Sequence, residues 1–276
     1  MGLSCDQLPL YTGGYRVPAG TTIREKRIET TLELSAGNIT VERSCIRPKE
    51  VGRGLPLVST TNPDRCDATR CEPPPAPATL RDCEIDGSAV DNFNIAFSLG
   101  FGGIGSVERC YIHDVGSGIA VYGEDTPFDA FLVGNYITRL RAWGDAATTG
   151  SHNDGLTVRS FPGSNRQAVI KNNRVIASSG NDTGALFIQP NAASIDNVLV
   201  EGNLLGGNGY QLGLEAANGF VYGRSMRAVD NRFSGTGFGP GYVSSKGLEY
   251  GWSEWRDNYI DDPTKPDNRG RAVPQP

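Results

Sequence analysis

Eight short segments of the chain share one pattern: an apolar strand, a tight polar corner and a second apolar strand. They read Val41-Glu-Arg-Ser44-Cys-Ile46, Leu80-Arg-Asp-Cys83-Glu-Ile85, Val107-Glu-Arg-Cys110-Tyr-Ile112 and Leu132-Val-Gly-Asn135-Tyr-Ile137. The series goes on as Ile170-Lys-Asn-Asn173-Arg-Val175, Val200-Glu-Gly-Asn203-Leu-Leu205, Val229-Asp-Asn231-Arg-Phe233 and Trp255-Arg-Asp-Asn258-Tyr-Ile260. The corners are spaced by 39, 27, 25, 38, 30, 28 and 27 residues (44→83→110→135→173→203→231→258). Units this short cannot bury a core alone, so they must stack. If each coil gives three short strands to three parallel sheets, neighbouring coils lie about 4.8 Å apart and like residues fall on like. An Asn at the corner is expected to adopt the left-handed conformation and to offer its amide to the next coil. The expected fold is therefore all-β, a right-handed parallel β-helix of about eight coils over 1–262. A Pro-rich tail or linker is expected over 263–276. No window sustains a 3.6-residue period, which sets aside helical repeats.

Composition narrows the partners. The net charge of −5 disfavours a general nucleic-acid binder, which carries a basic face. No stretch approaches the roughly 18–20 apolar residues of a membrane span. Met1-Gly2 leads directly into polar residues, which leaves either a cytosolic protein or a mature secreted chain with an added start residue. Six cysteines beside two Met and two His fit no common metal pattern and favour disulfides, hence secretion. Cys66 and Cys71 flank a short loop suited to a local bridge. Cys83 and Cys110 occupy the ladder position in adjacent coils and are read equally as a disulfide or as two half-buried thiols. Cys5 and Cys45 remain as a pair by elimination.

The third strand of each coil follows the variable loop. These strands align as Asn94-Ile-Ala-Phe-Ser98, Gly118-Ile-Ala-Val-Tyr122, Gly155-Leu-Thr-Val-Arg159, Ala185-Leu-Phe-Ile-Gln189 and Gln211-Leu-Gly-Leu-Glu215. Alternation turns Ile95, Ile119, Leu156, Leu186 and Leu212 inward, with Phe97, Val121, Val158, Ile188 and Leu214. One outward column then reads Ser98, Tyr122, Arg159, Gln189, Glu215, and its neighbour Ala96, Ala120, Thr157, Phe187, Gly213. Polar side chains beside small ones make a shallow groove suited to a sugar chain. The loop between Arg139 and Asn153 empties onto this face with Arg139, Arg141, Trp143, Asp145 and His152. By parity Asp154 points inward unless the strand begins at a bulge, in which case it joins the groove; otherwise it ties down the loop. His113-Asp114 reads equally as a structural or a catalytic pair.

The stretch Gly134-Asn-Tyr-Ile-Thr-Arg-Leu140, a loop, then Ser151-His-Asn-Asp-Gly-Leu156 resembles secreted actinobacterial pectate-lyase-like β-helix proteins. Their pattern is a Tyr-Ile-His-Asp-Leu corner followed by His-X-Asp-Gly-Ile. Val17-Pro-Ala-Gly-Thr-Thr22, Ala185-Leu-Phe-Ile-Gln-Pro190, Gly206-Gly-Asn-Gly-Tyr210 and Asn231-Arg-Phe233 resemble them as well. The resemblance covers most of the chain and implies the fold more specifically than an activity. It carries over to His152, Asp154 and Gly155 and departs at Thr138-Arg139, where the family has His-Asp. A two-histidine site would then need His113 from the preceding coil. The calcium-binding carboxylates of true pectate lyases have no counterpart on the outward columns, so no metal and no cofactor is expected.

The resulting expectation is a secreted polysaccharide-active protein, a lyase cleaving a uronate-containing glycan by β-elimination. His152 would transfer the proton, Arg159 and Arg139 would neutralise the carboxylate, and Asp154 would orient or act as acid or base. Tyr122, Trp143, Asp145, Gln189 and Glu215 would bind sugar. The alternatives are a non-catalytic glycan-binding or surface-assembly module, and a hydrolase pairing Asp154 with Glu215 or Asp145. Oligomeric state is open.

Overall fold

A chain of repeated strand–corner–strand units can satisfy its backbone only by pairing each strand with its counterpart one coil away, and this is the architecture found. The computed structural model describes residues 4–62, 72–123, 126–162, 165–191, 193–215, 219–235, 237–244 and 251–276. Among these residues three long sheets run the length of a parallel β-helix, with nine, ten and eight strands. Sheet I runs from Thr22–Arg24 to Glu254–Arg256, sheet II from Arg27–Ile28 to Arg269–Ala272, and sheet III from Leu32–Glu33 to Gly239–Val243. Each chain segment visits I, II and III in turn.

The core is a set of aliphatic columns. Sheet I stacks Ile23, Val41, Leu80, Val107, Leu132, Ile170, Val200 and Ala228 in register. Sheet II stacks Ile28, Ile46, Ile85, Ile112, Ile137, Val175, Leu205 and Phe233. All are buried. Parallel in-register stacking puts like side chains in van der Waals contact, which is why branched aliphatic residues recur at these positions.

The asparagine ladder forms as a continuous buried rail at the corner between sheets I and II. Asn135 Oδ1 accepts the Cys110 N–H (2.9 Å), Asn173 Oδ1 that of Asn135, and so on through Asn203 and Asn231 to Asn258. Each Nδ2 donates to a carbonyl of the preceding coil, as Asn173 does to Leu132 (2.8 Å). The left-handed residue is not the asparagine but the one before it: Arg109, Gly134, Asn172, Gly202, Asp230 and Asp257 all have φ between 51° and 69°. That residue makes the bend, and the next side chain is thereby turned inward.

Two further expectations are corrected. The segment 94–98 is not a strand. Asp91 caps a short helix, Asn92–Ile95, by accepting the Asn94 N–H, and the strand begins later, at Leu99–Gly103. Phe101 rather than Ile95 therefore opposes Ile119, and neither Ala96 nor Ser98 belongs to the outward columns. There is also one more coil than the ladder indicates. Strands Thr22–Arg24, Arg27–Ile28 and Leu32–Glu33 precede the Ser44 corner, and Lys26, which no asparagine pattern flags, occupies the ladder position.

Cys5 and Cys45 form a disulfide, whereas Cys83 and Cys110 are two buried free thiols. The Cys83 thiol donates to carbonyl oxygens of Val41 and Arg81, and that of Cys110 to Glu108. They take the ladder position as weak donors in place of Asn. Cys66 and Cys71 lie outside the described residues. The segment after 262 stays with the body: Arg269–Ala272 pairs antiparallel with Tyr259–Asp261 and Val273 is buried.

Candidate functional site

The outward face of sheet III gathers most of the residues singled out from the sequence. Its central strand, Asn153–Ser160, starts irregularly, because the register with Asp182–Ile188 shifts between Asn153 and Asp154. A Cβ added at Gly155 would sit 2.1 Å from Val175 Cγ1, inside the solenoid. Gly155 therefore faces the interior and Asp154 faces the groove, where its Oδ2 accepts from Arg159 Nη2 (3.3 Å).

Asp154 is only 4% exposed, and its Oδ1 has no hydrogen-bond partner. Burial pushes its carboxyl up to about 6, against the opposing pull of Arg159, the Gly184 N–H and His152. His152 itself is exposed at the mouth of the loop. It is held by its neighbours: Ser151 Oγ donates to Asn153 Oδ1, and Asn153 Nδ2 donates to the Ala96 carbonyl. The loop thus places an exposed imidazole next to a buried, easily protonated acid.

From Asp154 a polar row runs along the solenoid axis. Arg159 donates to Gln189 Oε1, and Gln189 Nε2 donates to Glu215 Oε2 (2.9 Å). Tyr122 does not join it as expected. A register shift after Val121 sets Tyr122 opposite Ser160 instead of Arg159. Beside the row runs a second outward column, Ala120, Thr157, Phe187, Gly213 and Tyr242. A third contains Asp154, Gly184 and Tyr210. The aromatic members Tyr210 and Tyr242 had no strong sequence signal, because the strand Gly239–Val243 is rich in Gly and Pro and reads as a turn.

The loop residues divide by role. Trp143 packs edge-on against Phe93 (4.9 Å), while Arg53 lies 3.9 Å over Phe97. Phe93, Phe97, Trp143 and Arg53 thus form one aromatic group that includes the loop. Asp145 closes a turn, its Oδ1 accepting the Ala147 N–H (2.9 Å).

Arg139 is engaged elsewhere. Its guanidinium donates to Asp114 Oδ2 (2.6 Å) on the sheet II side, and none of its contacts reaches Asp154 or Arg159. There His113 is buried with Nε2 3.0 Å from Glu84 Oε1 and Nδ1 2.7 Å from Asp114 Oδ2. Burial alone would lower the His113 pKa, but Glu84, Asp114 and Asp86 outweigh it against Arg139, and the net shift is upward. Ligand atoms of Glu84, Asp86 and His113 lie within 4.8 Å of one another, a spacing that could hold a cation. Both ring nitrogens already face carboxylates, and Arg139 supplies counter-charge, so the group is self-satisfied as an ion-pair network.

Fold and site together define a class: a parallel β-helix protein with polar and aromatic columns on one outward sheet face. No family model, no curated protein and no solved structure matches the chain.

Proposed function

We propose that the chain is a secreted polysaccharide-active protein of pectate-lyase-like type that cleaves a uronate-containing glycan by β-elimination on the face of sheet III. The observation that carries this reading is Asp154, a buried carboxyl in the groove with one oxygen unpartnered, flanked by Arg159 and by exposed His152. A substrate carboxylate lying on Arg159 would have its charge neutralised there, which acidifies the proton α to it. His152 takes that proton. The electron pair forms the new double bond, the β C–O bond breaks, and the leaving oxygen takes the proton of Asp154. Arg139 is left out of this step because Asp114 and His113 hold it.

The two-carboxylate alternative draws less support. Asp145 is committed to its turn. Glu215 lies two coils on, about 10 Å along the axis, and at the opposite end of its strand.

The test is incubation with polygalacturonate, alginate and glucuronate-containing polysaccharides, reading absorbance of the conjugated double bond. Wild type is expected to produce signal on at least one. His152→Ala and Asp154→Asn should each lower turnover by about 100-fold or more. Binding without product, unchanged by either substitution, would instead establish a non-catalytic glycan-binding module.

A further inference from the structure

We infer that Phe238, backed by Tyr210 and Tyr242, is a sugar-stacking platform that holds the glycan chain on the C-terminal side of Asp154; this rests on the polysaccharide reading above. Phe238 is 73% exposed, the most exposed large hydrophobic side chain among the described residues. A single exposed apolar residue needs no explanation, but this one belongs to a group. Its ring meets Tyr210 edge-on, at 5.5 Å and 65°. Tyr210 stacks on Tyr242 at 4.6 Å, and Tyr242 lies parallel to Phe187 at 6.5 Å. Three rings thus pile along the axis, and Phe238 is turned across the pile toward solvent.

Two glycines seat the Phe187 ring. A Cβ on Gly213 would fall 2.4 Å from the Phe187 ring, so Phe187 lies flat across that coil and is itself buried. Gly184 stands between Asp154 and Tyr210 in the same column, and a Cβ there would fall 3.2 Å from the Phe187 ring, so Phe187 covers this coil as well; Asp154 and Tyr210 lie two coils apart, about 10 Å.

The occupant follows from what borders the aromatic group. On one side runs the polar row of Arg159, Gln189 and Glu215, and two coils back lies Asp154. A protein partner's contact patch would be depleted of charge at its centre. A pyranose ring has an apolar C–H face and a rim of hydroxyls, and it fits an aromatic ring with amide, guanidinium and carboxylate groups alongside. Phe238 would touch the sugar; Tyr210 and Tyr242 position it. The chain would then run parallel to the solenoid axis, from the reacting unit at Asp154 toward the last coils.

The experiment measures binding of the same uronate polysaccharides, and of their oligomers of increasing length, to the Asp154→Asn protein so that turnover does not intervene. Affinity is expected to rise with oligomer length until the chain reaches from Asp154 to the platform. Phe238→Ala should weaken polymer binding about tenfold and remove that rise. Phe238→Trp should retain it, and Tyr210→Ala should resemble Phe238→Ala. Unchanged thermal unfolding of Phe238→Ala would show that the protein is intact. If the parent protein binds polymer and Phe238→Ala binds it equally well, the platform is refuted while the polysaccharide reading stands. If the parent binds none of the polymers, both fall together.

Discussion

At the scale of single residues the decisive feature is a carboxyl whose direction strand parity alone gets wrong. Asp154 shares the parity of Leu156, but alternation breaks at Gly155, which faces the interior as Leu156 does and leaves Asp154 on the Arg159 side. The sequence shows the condition, since a glycine follows the acid, but not which way that glycine faces. That depends on its packing against Val175 of sheet II, a tertiary fact. The raised pKa has a consequence for stability. An unfolded Asp titrates near 3.8 and the folded one at about 6, so between these values the folded state binds the proton more tightly. Stability from this group is present below about pH 4 and is lost as pH rises toward 6. Asp154→Asn should therefore leave stability little changed at pH 4 and raise it by about 1–3 kcal/mol at pH 8, read by urea unfolding. A loss at pH 8 would mean that the Arg159 contact outweighs burial.

His113 gives the opposite sign. Its pKa is raised, so its stabilisation is complete below its ordinary range and disappears as pH climbs through the higher folded value. His113→Ala should cost about 3 kcal/mol or more at pH 6, because Glu84 and Asp86 stay buried without it, and clearly less at pH 9. A cost independent of pH would show that His113 is neutral in the fold. The sequence left this pair undecided between structure and catalysis, and burial settles where it sits: beneath Tyr111 and Asp114, away from the groove.

At the scale of elements the corner ladder was legible because five successive rungs, Asn135 to Asn258, repeat one residue, while Lys26, Ser44, Cys83 and Cys110 take the earlier rungs. From Asn173 on, each buried amide oxygen in that run accepts a backbone N–H and the Nδ2 of the preceding rung, and its own Nδ2 donates to a carbonyl, a set that Asn meets in full and Ser or Cys only in part. Asn173→Ala removes an acceptor from both the N–H and the Nδ2 of Asn135 and a donor to Leu132. It should cost about 3 kcal/mol in equilibrium unfolding, whereas Asn258→Ala, at the last rung, should cost less. Equal costs would mean that the rail does not act cooperatively. Elements set by local competition were less legible. The apolar run Asn94-Ile-Ala-Phe-Ser98 alternates like a strand, yet Asp91 caps it into a helical turn. Conversely, Gly239–Val243 looks like a turn but is held as a strand by its neighbour Tyr210–Leu214. The aromatic end of the groove was hidden for that reason.

For the whole molecule the problem is ends. A solenoid leaves its first and last coils with unpaired strand edges, and a sequence with no capping helix gives no sign of how they are covered. At the first coil the segment before Thr22 lies alongside, with bridges from Leu10 to Arg27 and from Arg16 to Glu33, and the Cys5–Cys45 disulfide ties it down. At the other end the chain turns back. Arg269–Ala272 pairs antiparallel with Tyr259–Asp261, Trp255 Nε1 donates to the Val273 carbonyl (2.8 Å), and Gln275 Nε2 donates to that of Trp252. An antiparallel strand cannot continue the parallel register, so it ends sheet II in place of a further coil. Removal of residues 263–276 exposes that edge together with the two tryptophans. The shortened chain should lose about 2–4 kcal/mol of stability and should associate with increasing concentration, as read by sedimentation velocity. A shortened chain that stays monomeric with an unchanged unfolding midpoint would reduce the segment to a linker. It would also mean that the strand of Tyr259–Asp261, with its short length and flanking charges, protects its own edge.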